Sequence, residues 1–203
     1  MVGRSKAMTH RGQKAVRSGV HNTTLWKNTE RFQNFIMALV EAVWNERDAW
    51  NQEDCGDLEV VLQFVQHSKG RIDLMIYGNG EGITDSGLSD IVSLNQSTSA
   101  EDPDKRGQAG QGSKSFCWHA ERLLVQTVRL GENVMYQISY TAPELIAMWE
   151  AGEDVCWDIF DIPGDCIIRT HGSCFVWENV GYGSNVDPRH DRSIEHVIAT
   201  LAQ

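Results

Sequence analysis

The stretch from Asn95 to Gly112 is polar, glycine-containing and without apolar periodicity, and it separates two runs of regular elements. A compact domain seldom carries so long a structureless segment unless that segment acts, often as a lid over a ligand. The chain has 203 residues, which suit one large domain. Ahead of the lid, Phe32, Phe35, Ile36, Leu39, Val40 and Val43 recur at helical spacing between about Asn28 and Asn51. Strands are expected at Leu58–Val65 and Ile72–Tyr77, where β-branched runs end in turn residues, and a short helix over Thr84–Leu94. Beyond it, a helix is expected from Lys114 to about Leu123. Strands follow at Leu124–Arg129, Val134–Tyr140, Ile167–Thr170 and Ser173–Glu178, and an amphipathic piece at Ser193–Leu201. This order predicts an α+β protein, a two-layer α/β sandwich with a mixed, largely antiparallel sheet. Residues 1–24 read as a flexible basic tail and residues 25–203 as the folded domain.

Composition narrows the function. Hydrophobic residues make up 41% and charged residues 23%, a mixture that can bury a real core. No apolar run approaches the ~18 residues of a membrane span. The net charge of -10 repels nucleic acid, so DNA contact would need a local basic patch; Arg4, Lys6, Arg11, Lys14 and Arg17 supply the obvious one. The five cysteines are odd in number, widely spaced and free of any CxxC pair, which argues against a zinc site or a disulfide framework. A cytoplasmic setting, or a nuclear one in a eukaryote, is expected.

Three patches carry chemistry. In Glu41-Ala-Val-Trp-Asn45-Glu-Arg-Asp48-Ala49, positions 41, 45 and 48 share one helix face. A carboxylate and an amide one turn apart suit the activation of a water and the ligation of a hard cation through oxygen. In Gly78-Asn79-Gly80-Glu81-Gly82-Ile83, at a strand end, the glycines allow close backbone approach to a ligand. In Arg106-Gly107-Gln-Ala-Gly110-Gln-Gly112-Ser113-Lys114-Ser115, glycines lead into a helix start whose N–H groups suit phosphate, with Lys114 adding charge. The P-loop spacing GxxxxGK[ST] is not met. Taken singly, the patches also fit a solvated helix face, a tight turn and a loop.

In order, Glu-x3-Asn-x2-Asp-Ala, a strand ending in NGxGI, a lid and GxxGxGxKS resemble the N-box and glycine boxes of GHKL (Bergerat-fold) ATPases. His171-Gly172-Ser173 with the following apolar strand resembles the late GT strand of that class, and Trp177 in it looks most like MORC proteins and their bacterial relatives. The resemblance spans about residues 30–180. It implies ATP and Mg²⁺ as ligands, with Glu41 polarising the attacking water and Asn45 ligating the metal. Asp48 would support the adenine pocket or its helix. Gly78, Asn79, Gly80, Gly82 and Ile83 would line the nucleotide. Gly107, Gly110, Gly112, Lys114 and Ser115 would cradle phosphate, and Ser173 would stand for the usual threonine. A glutamate at position 41 favours hydrolysis over histidine-kinase chemistry. Members usually continue into a transducer domain, for which residues 181–192 would form the linker.

One position departs from the class. DxGxG carries an aspartate that accepts from the adenine amino group; here Gly78 stands in its place. Asp73, five residues upstream on a strand, cannot replace it. Loss of a charged hydrogen bond worth ~1.5–3 kcal/mol implies adenine binding weaker by roughly ten- to a hundredfold. Three readings follow: an ATPase domain driving dimerisation or conformational change with a DNA or protein partner, a degenerate non-catalytic interaction module, or a site with altered base specificity.

Overall fold

Along Ile72–Gly78 every second residue is buried and the others are half-covered, the pattern of a strand packed on both faces. The computed structural model describes residues 8–16, 35–67, 72–92, 119–151, 153–164 and 166–180. Its elements run β1 (His10–Val16), α1 (Phe35–Asp48), α2 (Gln52–Cys55), β2 (Val60–Gln66), β3 (Ile72–Gly78), α3 (Asp85–Val92), β4 (Arg122–Val128), β5 (Val134–Thr141), α4 (Ala142–Ala151), β6 (Val155–Asp161) and β7 (Gly172–Glu178). The strands form one seven-stranded sheet in the order β1-β6-β5-β4-β7-β3-β2. All its adjacent pairs are antiparallel, a stricter arrangement than the mixed sheet expected from sequence.

One face of the sheet meets the helices. Leu74, Ile76, Leu123, Val125, Ile138, Trp157 and Trp177 pack with Ala38 and Leu39 of α1, Leu88 and Val92 of α3, and Leu145 of α4 in the main core. The fold is therefore the expected two-layer sandwich. The opposite face carries a smaller cluster built on Val128, Met135, Ile168 and Cys174. Among the described residues no helix is long and apolar enough to cross a membrane.

Several local expectations are corrected. The supposed tail contains β1, which pairs with β6 and is tied down by a His10–Asp158 hydrogen bond, an Arg11–Asp161 ion pair and Lys14 to Asp85 at 3.2 Å. Its sequence HRGQKAV lacks an apolar face because an edge strand can be held by backbone bonds and charges. Ile167–Thr170 is irregular, not a strand. The strands beside it are already paired on both sides, so Ile168 is buried against the sheet's second face instead. Arg122 and Leu123 belong to β4, not to a helix. The strand β6 and the helix α4 were not anticipated. The Asn95–Gly112 lid, residues 114–118 and the piece at 193–201 lie outside the described residues.

The topology matters because β7, the last of the described strands in sequence, inserts between β4 and β3. Antiparallel pairing then brings the start of β7 beside the ends of both neighbours: Ser173 pairs with Gly78 on one side and with Thr127 on the other. The C-terminal half of α1 lies over this corner.

Candidate functional site

α1 buries Ala38, Leu39, Val40 and Val43, and then Glu46, which is 2% exposed. Leu39, Val43 and Glu46 stand at i, i+4 and i+7, so the acid occupies the last position of an apolar stripe. Its side chain runs toward the end of β3 and fills the space above Gly78. A Cβ built on Gly78 would lie 2.8 Å from Glu46 Cδ and 2.9 Å from Glu46 Cβ, closer than real atoms pack. Any residue other than glycine at position 78 would have to displace Glu46.

The carboxyl group meets one donor. Ser173 Oγ, also 2% exposed, donates toward both carboxyl oxygens, at 2.8 Å to Oε2 and 3.0 Å to Oε1. No cation faces the group among the described residues, and burial raises its pKa from 4.5 to about 8, with the Ser173 hydroxyl pulling it back down. Burial likewise pushes the neighbouring Cys174 thiol up to about 12, with the Glu46 charge adding to it.

Thr127 completes the floor. Fully buried, it donates to Gly172 O at 2.9 Å and accepts from the Ile83 N–H at 2.9 Å, locking the glycine-rich turn to β4 and β7. The turn itself is packed tightly on its own chain. A side chain on Gly80 would meet the Ala49 carbonyl oxygen at 2.5 Å, at the end of α1, and one on Gly82 (φ +83°) would press on Arg129 Cα at 2.8 Å. His171 Nδ1–H donates to Gly80 O at 2.9 Å, and Arg129 Nε to Ile83 O at 2.8 Å. The carbonyl partner fixes the His171 tautomer, because only a protonated Nδ1 can donate to it.

The sequence-derived candidates divide accordingly. Gly78 and Ser173 come together, and the structure adds Glu46, which sequence reasoning passed over as the residue after Asn45. Asn45 and Asp48 sit half-buried on α1. Glu41 lies on the same helix, and its side chain is outside the described residues. Asn79 turns to its own chain: its Oδ1 accepts from Glu59 N–H at 2.7 Å and its Nδ2 donates to Asp57 O at 2.7 Å, fastening the segment ahead of β2. Ile83 packs against the main core. Gly107, Gly110, Gly112, Lys114 and Ser115 lie outside the described residues. Asp73 is far from Gly78 on β3, held by Asn179 N–H at 2.8 Å and His67 at 2.6 Å. A recess of about 750 Å³ lined by Glu59, Tyr77, Asn79, Arg169 and His171 involves the opposite side of β3, since Tyr77 and Gly78 alternate faces.

Among the described residues no group of three or more His, Cys, Asp or Glu gathers to hold a metal. A family model for histidine kinase-, DNA gyrase B- and HSP90-like ATPases matches residues 33–150, more than half of the chain. No curated protein matches it at a significant level.

Proposed function

Since the chain belongs to the family of histidine kinase-, DNA gyrase B- and HSP90-like ATPases, we propose that it binds ATP with Mg²⁺ at the corner of α1, β3 and β7 and hydrolyses it. The observation that carries this reading is the convergence at one point of α1, the glycine turn after β3 and the start of β7, with Gly78 and Ser173 cross-strand partners beneath the helix. Three segments far apart in sequence meet where the base would sit.

In this reading Glu41 accepts a proton from a water whose oxygen forms a bond to the γ-phosphorus. The bond from that phosphorus to the β–γ bridging oxygen breaks, and ADP leaves with the bonding pair. Asn45, one helical turn from Glu41, would hold Mg²⁺ through its amide oxygen, alongside phosphate oxygens. When bound, the ion neutralises phosphate charge. Gly107, Gly110 and Gly112 would offer N–H groups to the phosphates, and Lys114 a positive charge. Most of the rate enhancement would come from positioning and electrostatics. The class resemblance extends the reading to nucleotide-driven pairing of two copies and to a DNA or protein partner, while Trp177, the MORC-like feature, is a buried core residue.

Titration calorimetry with ATP and ADP, in the presence of Mg²⁺, tests the reading. Saturable ATP binding is expected, with phosphate release abolished in Glu41→Ala while binding persists. A folded protein that binds neither nucleotide would overturn the proposal. Binding with phosphate release unchanged in Glu41→Ala would leave only the binding half standing.

A further inference from the structure

The missing aspartate at position 78 implies weakened adenine binding, yet a carboxyl group stands at that corner. We propose that Glu46 is the base-recognising acceptor of this site: the carboxyl has moved from strand β3 to helix α1, and Gly78 is glycine to make room for it. The inference rests on the ATP-binding reading and names the group that would select the base.

Geometry carries the argument. Glu46 enters from the last position of an otherwise apolar stripe, and its Cβ and Cδ lie within 2.9 Å of the point where a side chain on residue 78 would begin. The two positions are sterically exclusive, so a side chain can enter this corner from the helix or from the strand, not from both. Ser173 bonds the carboxyl from below at 2.8 and 3.0 Å, and Ser173 is the residue aligned with the hydroxyl partner of the strand-borne aspartate in the resembling motifs. The acid thus replaces both the position and the partner.

Its unused capacity points to a ligand. Ionised, the form that an arriving donor stabilises, a carboxyl group offers about four lone-pair sites, and among the described residues one hydroxyl engages them. A group 2% exposed cannot turn to bulk water for the rest, and burying a polar group without partners is costly. A donor arriving with the ligand resolves the deficit. The 6-amino group of adenine is such a donor to the ionised carboxylate, whereas guanine and hypoxanthine present a carbonyl oxygen there and would set acceptor against acceptor. Glu46 therefore selects a 6-aminopurine.

Calorimetric titration of the full chain with the Mg²⁺ complexes of ATP, GTP and purine riboside triphosphate, which lacks the 6-amino group, tests this. Wild type is expected to prefer ATP over both. Glu46→Ala should weaken ATP binding by about ten- to a hundredfold and leave the unsubstituted purine nearly unchanged, collapsing the preference. The double variant Glu46→Gly/Gly78→Asp, which clears the helix Cβ as well as the carboxyl and returns the acid to the strand, should recover the ATP preference. A merely structural Glu46 would not move the ratio between ATP and the analogue.

If folded Glu46→Ala binds ATP within about threefold of wild type with the same preference, the inference falls while the ATP reading stands. If both wild type and the double variant fold and bind no nucleotide, the ATP reading falls and takes the inference with it. Should Glu46→Ala fail to fold, Glu46→Met, similar in length and without a carbonyl acceptor, takes its place. A narrowed ATP preference then supports the assignment, and an unchanged one overturns it.

Discussion

Two acids flank the glycine-rich turn and are treated in opposite ways. Asp85, at the start of α3, is 43% exposed in its side chain and sits between Arg129 and Lys14. Partial burial pushes its carboxyl upward, but hydrogen bonds from Arg129 and Lys14 and their charges outweigh that and hold it below the usual carboxylate range. Arg129 is further fixed by stacking over the Tyr136 ring at 3.9 Å. Glu46 is buried, faces one neutral hydroxyl and is pushed up to about 8. At Asp85 the charge is answered twice within the chain, as befits an acid that holds β1, α3 and the end of β4 together. At Glu46 one neutral hydroxyl and no cation answer the carboxyl among the described residues, and on the reading proposed above that separates a structural acid from one kept for a ligand.

The strongest way to break this comparison is to add a second acid to the buried corner. Gly78→Asp in the wild-type background forces a side chain into the space of Glu46 and brings two carboxyls together without a cation. Overpacking and uncompensated burial together are expected to cost about 3 kcal/mol or more, read as a lower urea midpoint. Adding Glu46→Gly, which removes the second carboxyl and the helix Cβ together, should return much of that stability. If Gly78→Asp were as stable as wild type, the mutual exclusion of the two positions would be wrong.

Acid and base should separate the two sites next. At pH values below the ordinary carboxyl range, folded and unfolded chains both keep the Glu46 proton. Between pH 4.5 and about 8 the unfolded chain gives it up while the folded chain holds it, so this group's contribution falls as pH rises; above about 8 the loss is complete. The titratable groups that feel it, Tyr77 on β3 and Cys174 on β7, are both raised and stay neutral throughout that window. In nucleotide-free protein with chelator, Glu46→Gln should therefore gain stability relative to wild type with rising pH, by up to roughly 1.4 kcal/mol per pH unit. Parallel pH curves for the two proteins would show that Glu46 is ionised and solvated instead.

The contrast also explains what the sequence could disclose. The helix, the strand ending at Gly78 and the β7 strand were legible because their periodicity and turn residues are local. Ser173 and Gly78 were legible as motif positions. Glu46 was not, although the stripe Leu39-Val43-Glu46 marks it: an acid at i+7 of an apolar face signals burial, but its partner is 127 residues away in sequence. The edge strand β1 was hidden because backbone pairing and ion pairs, not an apolar face, hold it in place. The helix α4 did carry a local signal, the capping box of Thr141 and Glu144, with Glu144 Oε2 accepting from Thr141 N–H at 2.7 Å and Thr141 Oγ1 from Glu144 N–H at 3.3 Å. What pattern reading loses is pairing between distant segments, and here the candidate base contact is such a pairing.

The smallest expected effect belongs to the exposed acid. Asp85→Asn keeps the shape and some hydrogen bonding with Arg129 and Lys14 but removes the charge between them. Surface ion pairs contribute about 0–1 kcal/mol, and an acid in the first turn of a helix adds a few tenths more. Unfolding at neutral pH should therefore shift by less than about 1.5 kcal/mol, and the shift should shrink in high salt because the groups are open to solvent. Since the Asp85 carboxyl is held low, its contribution is present at neutral pH and is lost on acidification, opposite in direction to Glu46. Nucleotide affinity should not change, because Asp85 is satisfied by its own chain. A loss of ATP binding in Asp85→Asn as large as that in Glu46→Ala would erase the distinction between the two acids and assign both to the ligand.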